Sequence, residues 1–208
     1  MGISRLFRPL DYLRVRHEAK FKYDYGYPLA FATLTVGVSL LVPIQVNVFG
    51  NDGLIKIISG LIGILAGFFI ASLAAIATFN NAGMDRVMPG QPPVLDVTVR
   101  GRKAQLQLTR RRFLSLLFGY LSMLSIFLYL IGEVSRVIAP DVVRSLQSNW
   151  ILLLRTTFLF LYMCVFANLL VTTLLGLFFM SDRIHRSDSE LKSKLGLAPE
   201  EHESELPE

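Results

Sequence analysis

Long apolar segments constrain this chain more than any other feature of its sequence. A helix that crosses about 30 Å of hydrocarbon needs roughly 20 mostly apolar residues, because each residue advances the helix by about 1.5 Å. Four segments meet this requirement: residues 28–49, 54–79, 113–131 and 150–180. The sequence therefore predicts an all-α membrane protein, built as a four-helix transmembrane bundle with lipid around most of the chain.

The composition agrees with a protein embedded in lipid. Hydrophobic residues make up 52% of the 208 residues and charged residues only 18%, whereas soluble domains usually carry about a quarter charged residues. The single cysteine, Cys164, excludes a disulfide framework. The histidines His17, His185 and His202 do not lie at metal-ligand spacing, so we expect neither a metal nor a cofactor.

Segment lengths shape the expected bundle. Only the polar residues 50–53 separate the first two spans, which predicts an antiparallel helical hairpin over residues 28–79. The last segment, residues 150–180, is longer than one bilayer thickness. We therefore expect the last helix to tilt or to project out of the membrane.

The positions of lysine and arginine predict how the chain is oriented. Basic residues accumulate in the cytoplasmic flanks of membrane spans. All but four of the 21 basic residues precede the first span, follow the fourth or lie between the second and third. The four exceptions are Lys56, Arg136, Arg144 and Arg155. We therefore expect a multi-pass protein of the inner membrane with both termini in the cytoplasm.

Three polar segments would then face the cytoplasm. Residues 1–27 form a basic amphipathic segment, with a helix expected over residues 10–22 on the lipid headgroups. Residues 80–112 form a basic loop, in which alternating apolar residues on both sides of a glycine-containing turn predict a small β-hairpin. A lone hairpin is marginal in water, so we expect it to pair with another copy or a partner chain. Residues 181–208 form an acidic tail, whose candidate partner-binding residues are Glu200, Glu201, Glu203 and Glu205.

The second span has small residues at every fourth position. They are Ser59, Gly63, Gly67, Ala71 and Ala75. Small residues at this spacing allow two helix backbones to approach closely, which holds helices together in lipid. Such a face serves either packing within one chain or an oligomer interface, and we favour packing within the chain.

The fourth span carries a polar stripe around its single cysteine. Its members are Thr157, Asn168, Thr172 and Gly176. In an oligomer this stripe could line a pore, but Thr and Asn side chains also form ordinary hydrogen bonds between membrane helices. We favour hydrogen bonding between helices, because an amide near the middle of the membrane is costly unless it has a partner.

The central loop holds the basic residues that we expect to bind anionic lipid or a partner protein. They are Arg100, Arg102, Lys103, Arg110, Arg111 and Arg112. Arginines at the cytoplasmic mouth of a span are typical topology anchors, so we expect no direct contact with nucleic acid. The sequence contains no catalytic motif, and an enzyme is therefore not expected.

The organisation of the chain resembles that of the membrane subunit of Kiwa, a bacterial anti-phage defence system. The resemblance lies in the whole plan of a small four-span protein with cytoplasmic ends, and it assigns no role to any residue. It implies a homo-oligomeric envelope sensor that holds a cytosolic DNA-binding effector near the membrane.

Two functions remain open from the sequence. The first is a membrane-embedded sensor or scaffold that recruits a soluble cytosolic protein, because most of the polar sequence lies on one side of the membrane. The alternative is a pore-forming protein, either an ion channel or a holin-like protein, which the glycine-rich second span and the polar stripe suggest.

Overall fold

A computed structural model of the chain describes residues 8–16, 21–41, 47–78, 84–85, 87, 93–99, 102–145 and 147–180. The protein is mostly helical. The long helices are α1 (Tyr27–Leu41), α2 (Leu54–Thr78), α3 (Arg110–Ser145) and α4 (Ser148–Phe178). Within the described residues, three helices are long and apolar enough to cross a membrane, namely α2, α3 and α4. The acidic tail and Arg100 lie outside the described residues.

The first predicted span is a shorter helix than the sequence indicated. A short π-helix, Lys22–Gly26, leads directly into α1, which ends at Leu41. The prediction that this helix reaches Phe49 is wrong, because Asn47 to Gly50 form a non-helical loop. In this loop the carbonyl oxygen of Asn47 accepts a hydrogen bond from the amide of Leu54, at 2.9 Å, and so caps the start of α2.

Helix α3 extends well beyond its predicted end at residue 131. Its 36 residues correspond to about 54 Å at 1.5 Å per residue, almost twice the hydrocarbon thickness. The added turns contain a charged pair, in which Arg136 Nη1 lies 2.7 Å from Glu133 Oε2. Because Glu133 and Arg136 lie three residues apart on the same helix, their charges neutralise each other, and the helix continues past them. Helix α4 is 31 residues long, close to the prediction.

The helices pair differently from the expected hairpin. The main neighbour of α2 is α3, and the main neighbour of α1 is α4. Helix α2 buries a stripe of large apolar residues with helical spacing: Ile55, Ile58, Ile62, Phe69 and Ile76. Because this stripe packs on α3, α1 and α2 are not principal neighbours, although they are consecutive in the chain.

A small antiparallel sheet covers one end of the helices. Its strands are β1 (Val15–Arg16), β2 (Val94–Val99) and β3 (Arg102–Gln107), in the order β1-β2-β3. Strand β1 pairs Val15 with Leu95. The single helix predicted over residues 10–22 is therefore wrong, because a 3-10 helix (Arg8–Arg14) and then β1 occupy its first half. We call this end, where Arg110 begins α3, the basic end.

The apolar core has two parts. One lies at the basic end, where Leu95 and Leu108 from the sheet region pack with Phe113 and Leu117 of α3. The other lies towards the opposite end, where Ile55, Leu128 and Met163 join α2, α3 and α4, and Ala32 brings in α1. The sheet is thus continuous with the helices through shared buried side chains.

Candidate functional site: the sheet and polar cluster at the basic end

The N-terminal 3-10 helix inserts a tyrosine into the core. Tyr12 is 2% exposed. Its ring stacks on Tyr120 of α3 with the centroids 5.0 Å apart, and it also contacts Phe113 at 6.4 Å. Burial and the nearby Asp24 and Tyr120 side chains raise the pKa of the Tyr12 phenol well above its usual range. Tyr12 is therefore a neutral anchor that fixes the N-terminal segment on α3.

A partly buried hydrogen-bonded cluster joins three separate segments beside Tyr12. The Tyr120 hydroxyl donates to Asn168 Oδ1 at 2.9 Å, and Asn168 Nδ2 donates to the backbone oxygen of Asp24 at 3.0 Å. Asp24 lies on the π-helix before α1 and is only 8% exposed. The amide of Asn168 therefore connects α3, α4 and the segment leading into α1.

An arginine joins the end of α2 to the start of α3. The Arg111 guanidinium binds both carboxylate oxygens of Asp85, at 2.8 and 3.2 Å. It also donates to the backbone oxygen of Ile76, at 3.2 Å. This oxygen lies in the last turn of α2, where carbonyls lack helical partners, so Arg111 caps the helix. Arg111 thus holds the polypeptide that leads from α2 towards the sheet.

The edge of strand β3 that faces away from β2 is unpaired along Arg102–Gln107 within the described part of the chain. Strand β2 lies between β1 and β3, so β1 and β3 are both outer strands. Beyond Gln107, the described residues add an isolated antiparallel bridge between Thr109 and Val87 on that side. The amide of Leu108 donates to the oxygen of Pro93, and the register pairs Gln105 with Asp96 and Gln107 with Val94. Since hydrogen-bonded and non-hydrogen-bonded pairs alternate in an antiparallel ladder, the backbone groups of Gln105 and Gln107 point away from β2. Both glutamines are exposed.

The predicted polar stripe of α4 is mostly turned inward. Thr172 is 2% exposed, and Gly176 is buried against Leu117 and Phe118 of α3. Asn168 has both its amide oxygen and its amide nitrogen in hydrogen bonds within the chain. Of these four residues, only Thr157 is exposed. The stripe therefore does not form one continuous surface of the single chain.

The small-residue stripe of α2 mostly faces outward. Ser59 is buried, but Gly63, Gly67 and Ala71 are exposed and Ala75 is half-buried. A methyl group built on Gly67 would have no neighbour within 4 Å. Packing within the chain thus uses the opposite, large-residue face of α2, because Ile and Phe side chains fill the space against α3. From Gly63 to Ala71 the small residues are free to meet lipid or a second copy.

The predicted basic residues divide by environment. Arg110 is 9% exposed and Arg111 holds Asp85, so these two are engaged within the chain. Arg112 is exposed at the start of α3. Arg102 and Lys103 lie on strand β3. The part of the chain that the structure describes contains no cluster of His, Cys, Asp and Glu side chains suited to a metal ion.

Sequence reasoning missed Tyr12, Asp24 and Tyr120 as members of one cluster. Each occurs in a context that favours another interpretation, since Tyr12 and Asp24 lie among basic and aromatic residues near the membrane surface. One signal was present in Asn168, an amide within a long apolar segment that requires a hydrogen-bonding partner. Its partners depend on which helices meet, and this is a property of the tertiary structure.

Comparison of the chain with protein-family models, with curated proteins and with solved structures finds no match. The geometry at the basic end is therefore the basis for assigning a function.

Proposed function

We propose that this protein is a membrane-embedded sensor or scaffold subunit that oligomerises and recruits a cytosolic effector protein. In this proposal it is a four-span bundle of the inner membrane, with both termini and the β2–β3 hairpin in the cytoplasm. The observation that carries the proposal is the pairing of Val15 with Leu95, which joins the N-terminal segment and the central loop in one sheet. Two polar segments that are distant in sequence thus form a single folded surface at the basic end.

The β3 edge supports recruitment of a protein. An outer strand offers unpaired amide and carbonyl groups to which an extended segment of another chain can add. The sheet rests on the helices through buried Leu95 and Leu108, so a partner bound there would be held close to the membrane. Arg112, which is exposed at the start of α3 close to β3, suits an acidic partner surface.

The contacts of Asn168 favour a scaffold over a pore. A pore lining needs polar groups that face a water-filled channel. The Asn168 side chain instead donates to Asp24 and accepts from Tyr120, and Thr172 is buried. These residues hold the helices and the N-terminal segment together, which is what a stable platform requires.

The outward small-residue face of α2 supports a homo-oligomer. Gly67 and Ala71 offer a surface on which a second copy could pack closely. We expect Gly67→Leu to reduce the oligomer mass measured by light scattering in mild detergent. Gly37→Leu is the matched control, because Gly37 likewise has no neighbour within 4 Å but lies on α1. Equal masses for the two variants and the wild type would contradict the α2 interface.

The plan of the chain also motivates a place in Kiwa-type anti-phage defence, in which a membrane subunit works with a soluble DNA-binding partner. The separation of a helical membrane part from one folded polar platform fits such a division of labour. We expect the soluble partner, rather than this chain, to contact nucleic acid.

Affinity purification from the native host in mild detergent tests recruitment directly. We expect a soluble protein to co-purify at constant stoichiometry with the full chain. Gln105→Pro removes an amide that points outward from β3 and should abolish the partner, whereas Gln105→Ala retains the amide and should keep it. A third variant that lacks residues 187–208 separates the acidic tail from the sheet edge. Purification of the wild type without any stoichiometric partner would contradict the proposal.

A further inference from the structure

A groove lies at the end of the bundle opposite the sheet. It has a volume of about 610 Å³, which is within the usual range of small-molecule sites. The loop after α1, the last turns of α3 and the first turns of α4 form its walls. Phe49 of the loop packs on Phe158 of α4 with ring centroids 5.5 Å apart. The loop is thus held against α4 at one side of the groove.

The lining of this groove is mostly apolar, and its polar residues are Asn47, Ser135 and Arg155. Ile138 and Val142 of α3 face Ile151 and Phe158 of α4. Arg155 is the one ionisable residue in the lining among the described residues. A ligand that fills the groove should therefore have an apolar body and a negatively charged group that reaches Arg155.

The groove lies at the level of lipid headgroups if the basic end marks the other membrane surface. Arg155 is roughly 35 Å along α4 from Phe178, at about 1.5 Å per residue, just beyond about 30 Å of hydrocarbon. Trp150, one turn farther out, is 61% exposed, and tryptophan is enriched at the membrane interface. Leu152 and Leu153 are both 57% exposed beside the groove, so its surroundings also offer apolar surface to acyl chains.

We propose that this groove binds an anionic phospholipid from the leaflet opposite the sheet. One acyl chain occupies the apolar part between α3 and α4, and the phosphate group contacts Arg155. Arginine is well suited to this role, because its planar guanidinium can form two parallel hydrogen bonds with phosphate oxygens. The lipid would join the Asn47–Gly50 loop to the ends of α3 and α4. This inference is independent of the recruitment function proposed above.

Native mass spectrometry of the full chain tests the proposal. The protein is released from mixed micelles that contain equal amounts of phosphatidylglycerol and phosphatidylcholine with identical acyl chains. We expect the wild type to retain phosphatidylglycerol preferentially. Arg155→Gln should reduce this preference about tenfold, which is the scale of one lost charge-assisted contact, and Arg155→Lys should keep most of it.

Matched variants separate a specific site from general attraction of anionic lipid. Arg144→Gln removes the same charge from an exposed position near the same end of the bundle and should leave the preference unchanged. Ala139→Phe fills the groove and should reduce retention of both lipids, whereas Val137→Phe, at a 76% exposed position outside the lining, should not. Inorganic phosphate should not displace the bound lipid, because it lacks the acyl chain.

Two results would overturn the proposal. One is equal retention of the two lipids by the wild type, which would show that Arg155 selects no phosphate group. The other is an unchanged preference in Arg155→Gln. Circular dichroism and elution volume identify a variant that has lost its fold, and the wild type and Arg155→Lys then still decide whether the anionic lipid is selected.

Discussion

The hydroxyl group of Tyr120 donates a hydrogen bond to Asn168 Oδ1 across the interface between α3 and α4, at 2.9 Å. The same Asn168 side chain donates from Nδ2 to the backbone of Asp24, before α1. In hydrocarbon an amide without partners is costly, so these two bonds must form together with the packing of the helices. The pair therefore couples the membrane helices to the segment that carries the N-terminal part of the sheet.

This coupling is measurable as an interaction free energy. We expect Tyr120→Phe and Asn168→Ala to destabilise the protein individually, and a double-mutant cycle to give a coupling of about 0.6 to 2 kcal/mol. Reversible unfolding in mixed micelles measures the four free energies. Tyr129→Phe is the control for hydroxyl loss, because Tyr129 is 40% exposed on the same helix. A coupling of zero would contradict the hydrogen bond as a link between α3 and α4.

The helical segments could be predicted from the sequence because apolar length and helical rise alone determine them. Their pairing could not. The small residues of α2 suggested close packing, yet the buried face is the one that carries Ile55, Ile62 and Phe69, because larger side chains fill the space against α3. Helix α3 continues past residue 131 because its Glu133–Arg136 pair neutralises the charges that suggested an end.

The loop before α2 requires glycine at position 53. A methyl group on Gly53 would lie 2.7 Å from the oxygen of Val48 and 2.8 Å from the backbone of Gly50. These neighbours are backbone atoms, so the loop itself would have to move. We expect Gly53→Ala to lower the free energy of unfolding by about 1 to 3 kcal/mol.

Gly37→Ala is the control for the loss of a glycine, since a methyl group there meets no atom within 4 Å. Thermal unfolding of both variants in detergent gives the comparison. The two variants should differ clearly, and an unchanged unfolding temperature for Gly53→Ala would refute the tight loop.

Neighbouring arginines at the start of α3 should contribute differently to stability. Arg111 holds Asp85 and the last turn of α2, whereas Arg112 is exposed. We expect Arg111→Gln to destabilise the fold by about 1 kcal/mol and Arg112→Gln to change it little. Unfolding measurements at low and moderate salt concentration check both values. Equal effects of the two substitutions would argue against the cap on α2.

The fold should lose stability at alkaline pH through Tyr12. Burial raises the pKa of its phenol in the folded protein above the usual value of 10.0. Above this value the unfolded chain releases the proton while the folded chain retains it, so stability falls as the pH rises. Tyr12→Phe removes this dependence, although the variant also loses the hydroxyl group.

Ultraviolet difference spectra of tyrosinate in the folded state provide the measurement. Below the alkaline unfolding transition, wild type and Tyr12→Phe should give the same titration curve. An additional ionisation step near pH 10 in the folded wild type that Tyr12→Phe lacks would show that Tyr12 is accessible to water.

The candidate site was less predictable than the helices. Alternating residues over 94–108 predicted two strands, but the third strand, Val15–Arg16, is too short to produce a pattern. The expectation that the hairpin needs another copy or a partner chain did not anticipate this strand, which comes from the same chain. The pairing of β1 with β2 depends on Tyr12, which anchors the N-terminal segment on α3. The periodicity of the sequence does not reveal that contact.

We propose that the sheet and the groove lie on opposite sides of one membrane, with the sheet in the cytoplasm. Single cysteines introduced into a Cys164→Ala background test this arrangement, because the chain has no other cysteine. Gln105→Cys reports on the sheet and Asp141→Cys on the exposed far end of α3. A membrane-impermeant maleimide is applied to spheroplasts before and after permeabilisation. We expect Asp141→Cys to react in intact spheroplasts and Gln105→Cys to react only after permeabilisation. Labelling of both cysteines from the outside, or labelling in the reverse order, would rule out this arrangement.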